Sequence, residues 1–89
     1  MFRCLMSSDA YKILSDEYRW AVEKHPQFPN APNSFPCDAI CLIAEEFGEL
    51  AKEVNDLGDG WRRRALVEAA HVAVTAVRTM EFLLDEIGD

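Results

Sequence analysis

One segment, residues 65–84, restricts what this chain can fold into more than any other part of it. The segment is almost continuously apolar, and Glu68, His71 and Arg78 interrupt it. A transmembrane helix rarely contains three such groups, so the segment is predicted to be a helix buried in a soluble protein. Its apolar side chains extend most of the way around the helix, and a helix of that kind must be surrounded by others.

The length of the chain limits what can surround this helix. The 89 residues form one small domain, residues 1–89, and a chain of this size buries only a modest part of its surface when it folds alone. Two further helices cannot cover the third on all sides. We therefore predict a homodimer or homotetramer whose core is shared between subunits.

The sequence predicts three helices, expected over about residues 9–24, 36–57 and 61–87. Ser7 or Ser8 suits the N-cap of the first helix, and Pro26 ends it. All four prolines lie between residues 26 and 36, which predicts a stiff loop, and Gly58-Asp59-Gly60 predicts a turn before the third helix. The predicted fold class is all-α, an antiparallel bundle of about three to four helices that oligomerisation completes.

The composition excludes one class of partner. The net charge is −7 and the only basic run is 62–64, whereas binding a nucleic-acid backbone requires clustered Lys and Arg. A small phosphate-bearing ligand is compatible with this charge if a metal supplies positive charge. The first eight residues are too short for a signal peptide, and nothing else indicates secretion, so a cytoplasmic location without membrane partners is expected.

Acidic residues at helical spacing are the clearest functional pattern. On the second helix, Glu46 and Glu49 are i,i+3 neighbours beside the apolar stripe, and Glu45 stands one turn before Glu49. On the third helix, Glu68 and His71 repeat this spacing on the face that the apolar residues leave free. Like charges this close repel, and a carboxylate in an apolar segment needs a partner, so a bound cation would relieve both problems. Carboxylate oxygens suit Mg²⁺ or Mn²⁺, and a histidine ligand slightly favours Mn²⁺.

Simpler interpretations exist for the same residues. The glutamates of the second helix can form a solvated acidic face, and a histidine in an apolar helix is often a satisfied core residue. Gly48 needs a reason of its own, because glycine inside a helix costs about 1 kcal/mol relative to alanine. Close approach of another helix or of a ligand is the usual reason.

The string Glu45-Glu46-Phe47-Gly48-Glu49-Leu50 resembles the EExGEL motif of MazG-like, all-α nucleoside triphosphate pyrophosphohydrolases. That superfamily has ExxE on one helix and ExxD on the next, and here Glu46-x-x-Glu49 is followed by Glu68-x-x-His71 at a compatible separation. The segment Glu23-Lys24-His25-Pro26 also looks like the region before the motif in short phage and bacterial members. His71 departs from the family's usual Asp, which removes one negative charge.

The resemblance implies a reaction and a set of roles. The reaction is hydrolysis of a (deoxy)nucleoside triphosphate to the monophosphate and pyrophosphate, with Mg²⁺ or Mn²⁺ as cofactor and nucleotide-pool house-cleaning as the purpose. Glu46, Glu49, Glu68 and His71 are the implied metal ligands, although His71 could instead orient the water. The implied catalytic residues are Glu45 and Glu46, with Glu45 either the base or a support for a ligand. The implied substrate contacts are Trp20, Lys24, His25 and Phe28 at the base, and Lys52 and Arg78 at the phosphates. Ordinary packing is an alternative for Trp20, and surface or ion-pair roles are alternatives for Lys52 and Arg78.

Two other functions remain open from the sequence. ExxH pairs with further glutamates on neighbouring helices also occur in carboxylate-bridged di-iron bundles, so a dimer could hold a redox di-metal centre. The chain could also be a non-catalytic helical oligomer that serves as an interaction module. Bound iron with a visible chromophore would favour the first, and absence of both metal binding and pyrophosphate release would favour the second.

Overall fold

The computed structural model describes residues 6–26 and 37–88, which form three α-helices and no β-strand. Helix α1 spans Ser8–Lys24, α2 spans Cys37–Asp56 and α3 spans Trp61–Ile87. The all-α prediction is confirmed. Pro36 and most of the predicted proline-rich loop lie outside the described residues. None of the three helices is both long enough and apolar enough to cross a membrane.

The ends of α1 and α3 follow from residues at the caps. The Ser7 side chain accepts a hydrogen bond from the Ala10 backbone N–H at 3.2 Å, which satisfies a donor that the first turn leaves unpaired. At the other end of the chain, Gly88 has a φ of 82° and its N–H donates to the Leu84 carbonyl at 3.3 Å. That left-handed conformation suits glycine and ends α3 where the sequence predicts.

A short link, residues 57–60, joins α2 to α3 and makes them an antiparallel hairpin. Leu57 and Gly60 have positive φ angles of 52° and 75°, which reverse the chain. Arg64 at the start of α3 donates from Nε to Glu53 Oε1 at 2.8 Å and from Nη1 to the Asp59 carbonyl at 2.7 Å. These contacts fix the register between α2 and α3.

Helix α1 packs against α3 and is held there by polar contacts. The Tyr18 hydroxyl donates a hydrogen bond to Glu81. Arg78 is buried and donates to two backbone carbonyls at the end of α1, Ala21 O at 3.1 Å and His25 O at 2.6 Å. Over their described lengths, α1 and α2 make no close backbone contact with each other. A gap between α1 and α2 therefore remains, and α3 forms its floor.

A single chain buries very little apolar surface in its described part. The buried apolar residues there are Ala39, Ala70 and Val74. Thr75 and Arg78 are also buried, so the face that α3 turns toward the other helices combines small apolar and polar side chains. The large apolar side chains of α3 that stay exposed are Leu66, Val67, Val77, Met80, Leu83, Leu84 and Ile87. The neighbours that the sequence requires around α3 are therefore not supplied by the described residues of one chain.

Candidate metal centre

The α2–α3 hairpin brings residues of both acidic half-motifs together. His71 Nδ1 lies 3.2 Å from Glu68 Oε1, its neighbour one turn earlier on α3, and 3.4 Å from Glu46 Oε2 on α2. One ligand atom from each of these three residues lies within 4.8 Å of the others. The Glu46 and Glu68 side chains are 19% and 20% exposed, so the cluster is largely shielded from solvent.

Glu46 is a carboxylate whose negative charge is only partly compensated by its neighbours. Burial raises the pKa of Glu46, the nearby His71 opposes this, and the negative charges of Glu49, Glu68 and Glu45 raise it further. Its Oε2 atom is buried and accepts no hydrogen bond from any described residue. His71 Nδ1 lies within ion-pair distance of this atom but does not have the geometry of a hydrogen-bond donor to it. A buried oxygen of this kind is costly unless a donor or a cation meets it.

The donor set fits a hard divalent cation. Two carboxylates offer the oxygen ligands that suit Mg²⁺ and Mn²⁺, and the imidazole nitrogen slightly favours Mn²⁺. An octahedral ion with ligand bonds of about 2.1 Å spaces adjacent ligand atoms about 3 Å apart and opposite ones about 4 Å apart. The separations of 3.2 Å and 3.4 Å from His71 Nδ1 fall within that range. The two separations from His71 Nδ1 are therefore compatible with such an ion.

A cavity of about 440 Å³ opens directly beside the cluster. That volume lies within the range of about 300–1,000 Å³ that is usual for small-molecule sites. Helix α1 contributes Trp20 and His25 to its wall, and their rings meet edge to face with centroids 6.0 Å apart. The other lining residues are Glu17, Ala21, Leu42, Glu46, His71, Val74, Thr75 and Arg78. Aromatic surface, apolar surface and the carboxylate cluster therefore share one cavity.

The other predicted site residues have different positions. Glu45 and Glu49 are exposed on α2 and lie outside the three-residue cluster, although their charges act on Glu46. Lys24 and Lys52 are exposed and are not among the described residues that line the cavity. Phe28 lies outside the described residues. Of the six predicted substrate contacts, the cavity thus includes Trp20, His25 and Arg78.

Arg78 lines the cavity but directs its guanidinium to the protein backbone. Both Nη atoms donate to carbonyls at the end of α1. Burial lowers the pKa of Arg78, and the negative charge of Tyr18 in its ionised form would act in the opposite direction. Arg78 therefore fixes the part of α1 that carries His25 against the floor of the cavity.

Glu17 is a residue of the site that the sequence did not single out. Its Oε2 atom lies 3.3 Å from His71 Nε2, and it also lines the cavity. Glu17 stands one helical turn before Trp20 and Ala21, so it shares their face of α1. The sequence could have indicated Glu17 through this shared face, but only the position of α1 against α3 reveals the contact between Glu17 and His71.

Searches for similar proteins add no relative to this description. No family model, no curated protein and no solved structure matches the chain. The functional interpretation therefore depends on the geometry of this site and on the EExGEL-like motif.

Proposed function

We propose that this chain is a MazG-like pyrophosphohydrolase that uses Mg²⁺ or Mn²⁺ to convert a (deoxy)nucleoside triphosphate to its monophosphate and pyrophosphate. The observation that carries the proposal is the convergence of Glu46 with Glu68 and His71. These residues belong to two half-motifs on separate helices, and their ligand atoms lie within 4.8 Å of one another. Glu46 and His71 also border a cavity that is large enough for a small molecule.

The proposed cation is held by Glu46, Glu68 and His71. Glu49, one turn along α2 from Glu46, is the fourth ligand in this proposal and would reach the ion by a change of rotamer. A divalent ion at such a site supplies positive charge that neutralises and orients a phosphate chain. The chain itself carries a net charge of −7, so a triphosphate needs that positive charge to bind here.

The proton of the attacking water passes to a glutamate in this proposal. Glu45, the residue before Glu46, is exposed and is the group proposed to take this proton. Burial and neighbouring carboxylates raise the pKa of Glu46 in the metal-free chain, and a bound cation would act in the opposite direction, so Glu46 stays an ionised ligand in this proposal. The water oxygen bonds to phosphorus at the α–β linkage, the bridging P–O bond breaks, and pyrophosphate leaves.

The base of the nucleotide is proposed to bind against the α1 wall of the cavity. The Trp20 indole is 50% exposed there and offers a flat apolar surface for stacking. His25 meets the indole edge to face and adds hydrogen-bonding nitrogens. Lys24, Lys52 and Phe28 remain proposed contacts that a bound nucleotide or a neighbouring subunit would have to bring into reach.

A homodimer or homotetramer is part of the same proposal. A groove of about 600 Å³ between α1 and α3 is lined largely by apolar and aromatic side chains, among them Tyr11, Leu14, Val22 and Val77. Tyr11 is 63% exposed in the single chain. A second copy offers helices of matching apolar character, whereas exposed apolar surface of this extent is unusual on a stable monomer. The proposed setting is the cytoplasmic nucleotide pool.

Pyrophosphate release tests the proposal. The purified chain is incubated with common and modified (d)NTPs and Mg²⁺ or Mn²⁺, alongside Glu68→Gln and the matched control Glu86→Gln. Glu86 is exposed near the end of α3, so its substitution removes the same charge far from the site. We expect metal-dependent release by the parent and the control, and none by Glu68→Gln. Equal release by Glu68→Gln, or no release from any nucleotide by the parent, would contradict the proposal.

A further inference from the structure

His71 is contacted by carboxylates from two opposite sides. Nδ1 faces Glu46 and Glu68 at 3.4 Å and 3.2 Å, and Nε2 faces Glu17 of α1 at 3.3 Å. The two ring nitrogens point away from each other, so Glu17 does not share the space between Glu46 and Glu68 where a cation would lie. Glu17 and His71 are 30% and 32% exposed, so the contact is partly shielded from solvent.

We propose that Glu17 is a positioning residue that fixes His71 as an Nδ1 ligand. This inference rests on the proposed cation site. Without a cation, Nδ1 is the ring nitrogen in hydrogen-bond geometry, with Glu68 Oε1 at 3.2 Å, and the contact between Nε2 and Glu17 is an ion-pair contact at 3.3 Å. With a cation bound, the Glu17 carboxylate would accept a hydrogen bond from Nε2–H. Because a neutral imidazole has one N–H and one lone pair, the lone pair on Nδ1 would then face the cation.

This role has a physical reason that does not apply to a surface ion pair. A histidine that binds a metal through one nitrogen usually donates its other N–H to a carboxylate or carbonyl, which sets the tautomer and the ring orientation. The motif that this chain resembles has aspartate at this position, and aspartate has no ring to orient. With His71 there instead, the ligand needs a hydrogen-bond acceptor that fixes its ring. Helix α1 supplies it with Glu17, on the same face as Trp20 of the proposed nucleotide wall.

The contact also connects the two halves of the cavity. Glu17 joins α1 to the ligand set of α2 and α3, although α1 and α2 make no close backbone contact over their described lengths. This side-chain contact thus links the ligand set directly to the helix that carries Trp20, beside the bonds from Tyr18 and Arg78 that join α1 to α3.

Metal affinity tests the role of Glu17. Mn²⁺ is titrated into the full chain, into Glu17→Ala, and into Glu17→Gln, whose amide oxygen can still accept from Nε2–H. Asp16→Ala is the matched control, since Asp16 is the preceding residue, is exposed and pairs with Lys12 instead. We expect Glu17→Ala to bind about 10–100-fold more weakly, with Glu17→Gln recovering part of the loss and the control unchanged.

The tautomer of His71 gives a second readout, independent of activity. The chain has two histidines, so ¹⁵N-histidine spectra of the protein loaded with diamagnetic Zn²⁺ are assigned with a His25→Gln variant. We expect the Nδ1 resonance of His71 at the metal-bound position and Nε2 at the protonated position in the parent, and loss of this single pattern in Glu17→Ala. Binding through Nε2 would overturn the proposal. If Glu17→Ala has the same metal affinity and the same His71 tautomer as the parent, the positioning role of Glu17 is also overturned, whereas the proposed cation site is not. A parent that binds no metal would refute the proposed function as well.

Discussion

Gly48 offers a substitution whose effect follows almost entirely from local structure. The residue is exposed in the middle of α2, and its φ is not in the left-handed region. A Cβ atom added at Gly48 would meet nothing within 4 Å. Within one chain, the close approach that the sequence led us to expect at this glycine is therefore absent among the described residues. Gly48→Ala should stabilise the protein.

The magnitude comes from helix propensity alone. Alanine is favoured over glycine inside a helix by about 0.8–1.0 kcal/mol, mainly because it loses less backbone entropy. The exposed position adds no burial, and the open space adds no clash. We therefore expect the free energy of unfolding to rise by about 1 kcal/mol and Tm to rise by about 4–8 °C.

Thermal melts followed by circular dichroism, with light scattering at the same concentration, measure this effect. Ala44→Gly is the matched control, because Ala44 is exposed one turn earlier on α2 and should lose about the same free energy that Gly48→Ala gains. A lower Tm for Gly48→Ala, or a smaller assembly, would refute the reasoning from the single chain. It would place a second subunit against Gly48.

Three further predictions concern residues of the cavity. His71→Asp should strengthen Mg²⁺ binding and raise Mg²⁺-dependent pyrophosphate release, because an oxygen ligand replaces a nitrogen ligand. The preference for Mn²⁺ over Mg²⁺ should become smaller. If metal titrations and thermal melts show lower stability and no gain in Mg²⁺ affinity, His71 is not part of the site. Arg78→Met should lower the free energy of unfolding by about 2–3 kcal/mol in urea melts, because two carbonyls at the end of α1 lose a charged donor. An unchanged urea melt would contradict the role of Arg78 in fixing α1 to α3. Burial raises the pKa of Glu46 in the folded state, so protonation of Glu46 stabilises the folded chain. This stabilisation is fully present below the pKa of an unfolded glutamate and is lost as pH rises through the folded pKa. Metal-free Glu46→Gln should thus melt at a higher temperature than the parent at neutral pH, and this gain should shrink in acid; a gain that does not change with pH would contradict the prediction.

The sequence was sufficient for the features that depend on local rules. Ser7 as an N-cap, the Gly58-Asp59-Gly60 turn and Gly88 as a stop determine where helices begin and end, and the structure confirms them. The short turn also forces α2 and α3 to be antiparallel neighbours. The sequence analysis placed Glu46, Glu49, Glu68 and His71 in one site, and the structure brings Glu46, Glu68 and His71 together while Glu49 is exposed outside the cluster.

The contacts of α1 could not be predicted in the same way. A long connection joins α1 to α2, so nothing in the spacing of residues fixes where α1 crosses α3. The contact of Glu17 with His71, and the bonds from Arg78 to the end of α1, both depend on that crossing. Arg78 has the charge that a phosphate contact needs, and only the fold reveals that backbone carbonyls occupy its guanidinium.

The central claim is that Glu46, Glu68 and His71 hold one divalent cation, and direct Mn²⁺ binding tests it. Calorimetric titration of the parent, Glu68→Gln and Glu86→Gln at one pH and ionic strength gives the affinity and the number of ions per chain. We predict that the parent and Glu86→Gln bind Mn²⁺ alike, and that Glu68→Gln binds it more than about tenfold more weakly while α3 stays folded. Equal affinity in all three proteins, or no binding by the parent, would contradict it.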